Sequence, residues 1–249
     1  MTDPLTFEIQ LEIDAPAEAV WAAVSSSNGI SAWMLPTEIE EREGGSLVFH
    51  MGDTDSKGTV LKFEAPHRIV YEEPDWAALA GREGEAVSPM VTEFVVEARS
   101  GGSCVVKVVS SAFGTGADWE KEFFVEMGKG WAPSFDVLKL YAERYAGQLS
   151  TGFELVGEHP VSQAGLRACF DRGGELGTIE RSGDDYVLVG IAGPVPGCVL
   201  LACLGEQDGS SVSRVAGYLY GPDGPAAVDG VRENVERWLR EVTPSPDRP

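Results

Sequence analysis

A change of period near Trp119 constrains this chain more than any other feature of it. Before that point apolar residues recur at every second position in short runs; after it they recur every three or four. Residues 5–13 (LTFEIQLEI) place Leu5, Phe7, Ile9, Leu11 and Ile13 on one face and polar residues on the other, as a half-buried strand does. Leu47, Phe49 and Met51 repeat the pattern, as do Thr59, Leu61 and Phe63, then Ile69 and Tyr71, and then residues 91–98 and 104–111. Turn-forming stretches separate them at Gly44-Gly45, 53–56, Pro66-His67 and Ser100-Gly101-Gly102. Connections this short join antiparallel neighbours. From Trp119 onward, Phe123, Met127, Trp131, Phe135, Leu138, Ala142 and Tyr145 predict one long amphipathic helix. Gly128 and Gly130 weaken it locally, Pro133 is expected to kink it, and Gly147 is the expected C-cap.

The predicted fold class is therefore α+β, an antiparallel sheet wrapped on a long C-terminal helix. Asp14 and Pro16 mark the start of an early helix whose apolar face is Val20, Trp21 and Val24. A second short helix carries Ile30, Trp33 and Met34 and stops at Pro36, and 38–43 reads as a weak polar strand. These elements make a first domain over 1–148. Beyond residue 150 the pattern restarts in shorter form. Strands are expected at 153–156, 176–180, 186–191, 199–204 and 212–220, with a helix at 161–170. A final helix from about 225 to 242 aligns Val228, Val231, Val235, Trp238, Leu239 and Val242. A smaller α+β domain over 151–243 follows, either a reduced second copy of the first or an unrelated extension. The Pro-rich tail 244–249 is expected to be disordered.

Charge excludes some partners. The chain has 19 Lys and Arg against 40 Asp and Glu, a net −21. Neither half has a basic stripe, so nucleic acid and anionic membranes are repelled from most of its surface. No apolar run reaches the ~18 residues of a membrane-spanning helix. The N-terminus MTDPLTFEIQ lacks the basic and apolar regions of a secretory signal, which makes the cytoplasm the expected location. Cys104, Cys169, Cys198 and Cys203 sit in apolar contexts without CxxC spacing; they read as reduced, buried small hydrophobes.

Catalytic motifs are scarce. The sequence has no GxSxG, HExxH, P-loop or dinucleotide fingerprint. His50 falls on the strand face opposite Phe49 and Met51, and His67 lies in a turn. Glu120, Glu122 and Glu126 cluster in the first turns of the long helix, where its dipole favours carboxylates. No catalytic residue, metal ligand or cofactor is assigned.

Several segments resemble one family. IDAPAEAVWAAVSSSNGISAWM, with Ile13, Ala15, Pro16, Val20, Trp21 and Trp33 in place, resembles the opening of bacterial proteins similar to the activator of heat-shock protein 90 ATPase. These belong to the START-like (SRPBCC, birch-pollen-allergen-like) superfamily. EREGGSLVFHMGD and GTVLKFEAPHRIVYE resemble its central meander, and Ser111–Gly114 followed by Gly130-Trp131 its end. The likeness spans roughly residues 5–147 and implies a helix-grip fold. It leaves function open, because the superfamily hosts lipid carriers, cyclases, co-chaperones and resistance proteins. The stretch 75–90 (DWAALAGREGEAVSPM) is longer than the family pattern implies; it reads as a functional or mobile loop, a lid over the cavity mouth being the sharper of its readings.

A helix-grip fold leaves space between its sheet and its long helix. The expected lining is Phe49, Met51, Tyr71 and Phe94 from the strands, Phe123, Met127 and Trp131 from the helix, and Trp76 from the 75–90 loop. The expected ligand is a hydrophobic or polycyclic small molecule held without catalysis. The alternatives are a cyclase/aromatase-like enzyme and a co-chaperone-like module with a protein partner.

Overall fold

The computed structural model describes residues 4–52, 54–156, 163–207 and 210–242. The chain divides into two compact units, Met1–Gly147 and Gln148–Pro249. In the first, β1 (Pro4–Ile13) leads into α1 (Ala17–Ser25) and α2 (Ser27–Ser31). There follow β2 (Thr37–Ile39), β3 (Ser46–Met51), β4 (Thr54–Glu64), β5 (Arg68–Glu73), a 3-10 turn (Trp76–Ala80), β6 (Met90–Ala98) and β7 (Cys104–Phe113). The long helix α3 (Asp118–Arg144) ends the unit and runs unbroken through Pro133.

Strand order is β1-β7-β6-β5-β4-β3-β2, all antiparallel. The last six strands form a meander, and β1 closes onto β7 with Leu5 opposite Ala112 and Ile13 opposite Cys104. Alternation then fixes the two faces. The inner face, against α1 and α3, carries Phe7, Ile13, Leu47, Phe49, Val60, Ile69, Tyr71, Phe94, Val106 and Val108. Trp33 is buried at its centre, its Nε1 donating to the Ala23 carbonyl at 2.9 Å. α2 starts on Ser26, whose Oγ accepts from Gly29 N at 3.1 Å. A Cβ on Gly29 would lie 2.0 Å from the Ala22 carbonyl oxygen, so the close approach of α1 and α2 requires glycine.

Three local expectations are corrected. The polar strand at 38–43 is only Thr37–Ile39, because Glu40 folds the following turn, accepting from Ser46 N at 3.0 Å and from Arg42 at 2.8 Å. The turn expected at 53–56 is shorter: Gly52 adopts φ +68° and Thr54 already pairs with Met51, which puts Ser56 in the ladder opposite Phe49. On α3 the deep positions at the N-terminal end are Glu120 and Phe124, while Trp119, Phe123, Met127 and Trp131 are half-buried.

The second unit contains β8 (Ser150–Val156), α4 (Gln163–Arg172), a 3-10 turn (Gly173–Glu175), β9 (Thr178–Ser182), β10 (Tyr186–Ile191), β11 (Gly197–Gln207), β12 (Ser210–Tyr220) and α5 (Gly224–Val242). Its order, β8-β12-β11-β10-β9, again pairs the first strand with the last. Val187, Val189, Val199, Leu201, Val215 and Leu219 form a core with Val231, Val235, Trp238 and Leu239 of α5. The expected helix start at 161 and the tail 244–249 lie outside the described residues. No helix among the described residues is long and apolar enough to cross a membrane.

Candidate functional site

Two groups of rings line the inner face of the first unit. In one, Phe49 lies 5.8 Å from Tyr71, and Tyr71 stacks on Phe94 at 6.4 Å. Phe94 meets Trp33 and Phe135, and Phe135 meets Trp131, which in turn meets Phe7 of β1 at 5.7 Å. In the other, Trp76 packs on Trp119, Phe123 and Phe124 at 5.2–5.5 Å, with Leu5, Met90 and Ala112 beneath and Met127 alongside. Of the residues expected from sequence, the structure thus brings Phe49, Tyr71, Phe94 and Trp131 together, and Trp76, Phe123 and Met127 together. Met51 lies at the β3–β4 hairpin, half-buried and opposite Thr54.

The two groups differ in depth. Phe49, Tyr71, Trp76 and Phe94 are buried. Phe7, Ile9 and Leu11 of β1 and Trp119, Phe123, Met127 and Trp131 of α3 are only half-buried. The segment following Trp76 is pinned down. Trp76 Nε1 donates to the Ser88 carbonyl at 2.8 Å. Ser88 Oγ donates to the Phe113 carbonyl at 2.7 Å and accepts from Phe113 N at 2.8 Å. Arg82 stands over the Trp119 ring, 5.6 Å from its centroid.

A polar seam crosses this apolar face, and sequence reasoning missed it. Tyr71 pairs across the ladder with Thr92, and Thr92 with Ser110; the Thr92 and Ser110 hydroxyls are 2.5 Å apart. Tyr71 hydrogen-bonds Thr92, and burial, together with the Glu73 carboxyl, pushes its phenol well above the usual range. Two residues on, Glu73 is 3% exposed and accepts a short hydrogen bond from Ser56 Oγ. Burial raises its carboxyl to about 7 against the partial opposition of that hydroxyl. Glu73 ends its strand beside Pro74, so it reads in sequence as a solvated terminus. Only the observation that Tyr71 and Glu73 share a face could have flagged it.

The other polar candidates serve the fold or the outer surface. His50 Nδ1 lies 2.8 Å from Asp55 and Nε2 3.4 Å from Glu38, on the outer face; the hydrogen bond to Asp55 raises its pKa. The Glu120 carboxylate is buried and accepts from the backbone N–H groups of Thr115, Gly116 and Ala117 at 2.8–3.2 Å, tying the loop to the start of α3. Glu126 pairs with Lys129 at 2.8 Å. Among the described residues no three His, Cys, Asp or Glu side chains converge on a common point.

A seven-stranded antiparallel sheet that grips one long helix, with its first strand closed onto its last, defines a START-like helix-grip domain. The family model of activator of Hsp90 ATPase homolog 1-like proteins matches residues 14–143, and the chain belongs to that family. Several solved structures are similar to this chain at low identity. A Mesorhizobium loti protein is 18% identical with a TM-score of 0.48, over 56% of this chain and 97% of that one. CalU16 from Micromonospora echinospora is 22% identical with a TM-score of 0.43, over 55% and 73%. Aha1 from Colwellia psychrerythraea, solved as a dimer, is 16% identical with a TM-score of 0.44, over 56% and 96%. A search of the curated proteins finds no match.

Proposed function

We propose that the first unit binds a hydrophobic or polycyclic small molecule between the inner face of its sheet and α3, holding it without chemical change. Phe49, Met51, Tyr71, Trp76, Phe94, Phe123, Met127 and Trp131 form the lining. The observation that carries this reading is the set of inward-facing apolar side chains left half-buried along β1 and the N-terminal half of α3, Phe7, Phe123, Met127 and Trp131 among them. Apolar surface turned toward a core yet short of partners has an unmet gain of about 25 cal/mol per Å2 on burial, and a flat or ring-shaped apolar ligand would supply it. Cys104, Cys169 and Cys198 are free and buried, and burial pushes their thiols up, those of Cys169 and Cys198 to about 11 and 12. Unreactive thiols of this kind support a reducing compartment, the cytoplasm.

The test is Trp131→Ala. A fully packed Trp lost from a core costs roughly 3–5 kcal/mol. For a half-buried Trp131 the expected loss in a denaturant melt is about 1–2 kcal/mol, with clearly weaker binding of an apolar fluorescent dye. Core-like destabilisation with unchanged dye affinity would overturn the assignment. The second reading, a cyclase-like enzyme, is favoured by Glu73, since a carboxyl titrating near neutrality suits general acid–base work. A native-mass measurement on protein from its own host, followed by assay of any retained molecule for turnover, separates the two readings.

A further inference from the structure

Alternation along the seven strands leaves Glu73 as the one charged side chain on the inner face among the described residues. Its surroundings are specific. From β4 come Ser56 and Gly58, from β6 Met90 opposite it, and on its own strand Tyr71. Gly58 precedes Thr59, the partner of Glu72, and so lies across from Glu73; a Cβ there would stand 3.4 Å from Glu73 Cγ. It would also stand 2.4 Å from the Glu72 carbonyl oxygen, so the close approach of β4 to β5 at this point requires glycine. Ser56 donates to Oε1, and Oε2 has no hydrogen-bond partner among the described residues. Burial raises the group and the Ser56 hydroxyl lowers it, and no cationic side chain pairs with it among the described residues.

A carboxyl buried without a cation is costly, and a sheet interior can be built more stably from apolar residues. Such a group is retained where something uses it. We propose that Glu73 is the polar anchor of the ligand site and that the ligand is a ring-containing apolar amine, its protonated nitrogen paired with the Glu73 carboxylate and its rings against the aromatic inner face. This rests on the reading of the first unit as a binder and names the ligand's chemistry. Three observations converge on it. Oε2 accepts from no protein donor among the described residues, which leaves it free to accept from an ammonium N–H. Tyr71, two residues away on the same face of β5, opens the row of rings that continues through Phe94, and ring faces attract cations. The chain's net charge of −21 draws cationic ligands inward and repels anionic ones.

The experiment is a fluorescence titration at about pH 8.5, where Glu73 is ionised, in roughly 0.3 M salt to screen exposed charges. The probes are aminoacridine, cationic at that pH; acridine, uncharged; and anilinonaphthalene sulfonate, anionic. The proteins are the wild type, Glu73→Gln, and Glu122→Gln as an exposed control. The wild type is expected to bind aminoacridine about tenfold or more tighter than acridine. Glu73→Gln should lose that preference while keeping its affinity for acridine, and Glu122→Gln should change neither. A preference that survives Glu73→Gln, or acridine and sulfonate bound as tightly as the amine, overturns the amine and leaves the binder reading standing. Failure of every probe to bind overturns both. Should Glu73→Gln not fold, the wild type still decides. The 13C carboxyl resonance of Glu73 should titrate near 7 in the free protein and at clearly lower pH with aminoacridine bound; an unmoved midpoint refutes the pairing.

Discussion

Glu73 couples the inner face to pH with a definite sign. Its carboxyl rises from 4.5 to about 7 on burial, so between those values the folded state holds a proton that the unfolded state has released. Stability therefore falls as pH rises through this window, and the full cost is present above it. A shift of this size corresponds to about 3 kcal/mol. Glu73→Gln removes the ionisation and keeps the shape. The variant should match the wild type near pH 4 and exceed it by up to about 3 kcal/mol near pH 8 in urea melts. His50 also loses stabilisation as pH rises, because its raised pKa favours the protonated ring beside Asp55. Taking the difference between wild type and variant cancels that share. A gap that does not open with pH would mean that water reaches the Glu73 carboxyl.

α3 shows how far periodicity alone carries a reading. The helix expected from Trp119 spans Asp118–Arg144, because apolar steps of three and four over that length fit nothing else. Its buried side was read one residue off at the N-terminal end. A strict four-residue step gains about 40° per step on a helix of 3.6 residues per turn. The row Trp119, Phe123, Met127, Trp131 therefore drifts to the margin of the core, where it is half-buried, and Glu120 and Phe124 take the deepest positions. In sequence, Glu120 reads as one of three carboxylates favoured by the dipole at the start of the helix. No pattern in the chain records that three loop N–H groups converge on it. Ser56 is hidden for a related reason: residues 53–56 read as a turn, yet Thr54 already pairs with Met51. The meander, in contrast, was legible because its alternation and short turns admit few pairings. Glu120→Ala leaves the N–H groups of Thr115, Gly116 and Ala117 without their acceptor. The expected loss is about 2–4 kcal/mol by denaturant melt, with faster amide exchange at those three residues. Unchanged exchange would show that the loop holds itself.

The chain as a whole carries far more negative charge than its ion pairs can balance. Arg42, Lys62, Arg68, Lys107 and Lys129 each meet a carboxylate within 3.3 Å in at least one contact, yet 40 acidic residues face only 19 basic ones. Exposed pairs of this kind contribute about 0–1 kcal/mol each and weaken with salt. The surplus carboxylates repel one another over distances that salt also shortens, from roughly 30 Å at 0.01 M to about 10 Å at 0.1 M. The two effects oppose each other, and the size of the surplus decides between them. Repulsion is summed over the whole acidic excess, whereas each pair acts alone, so screening should stabilise the fold. The urea midpoint at about pH 8 is expected to rise between roughly 0.01 M and 0.3 M sodium chloride with little change in slope. The rise should shrink near pH 4, where most carboxylates approach neutrality. A midpoint that falls with salt at pH 8 would show that the ion pairs outweigh the surplus, and would remove the long-range field from the argument for a cationic ligand.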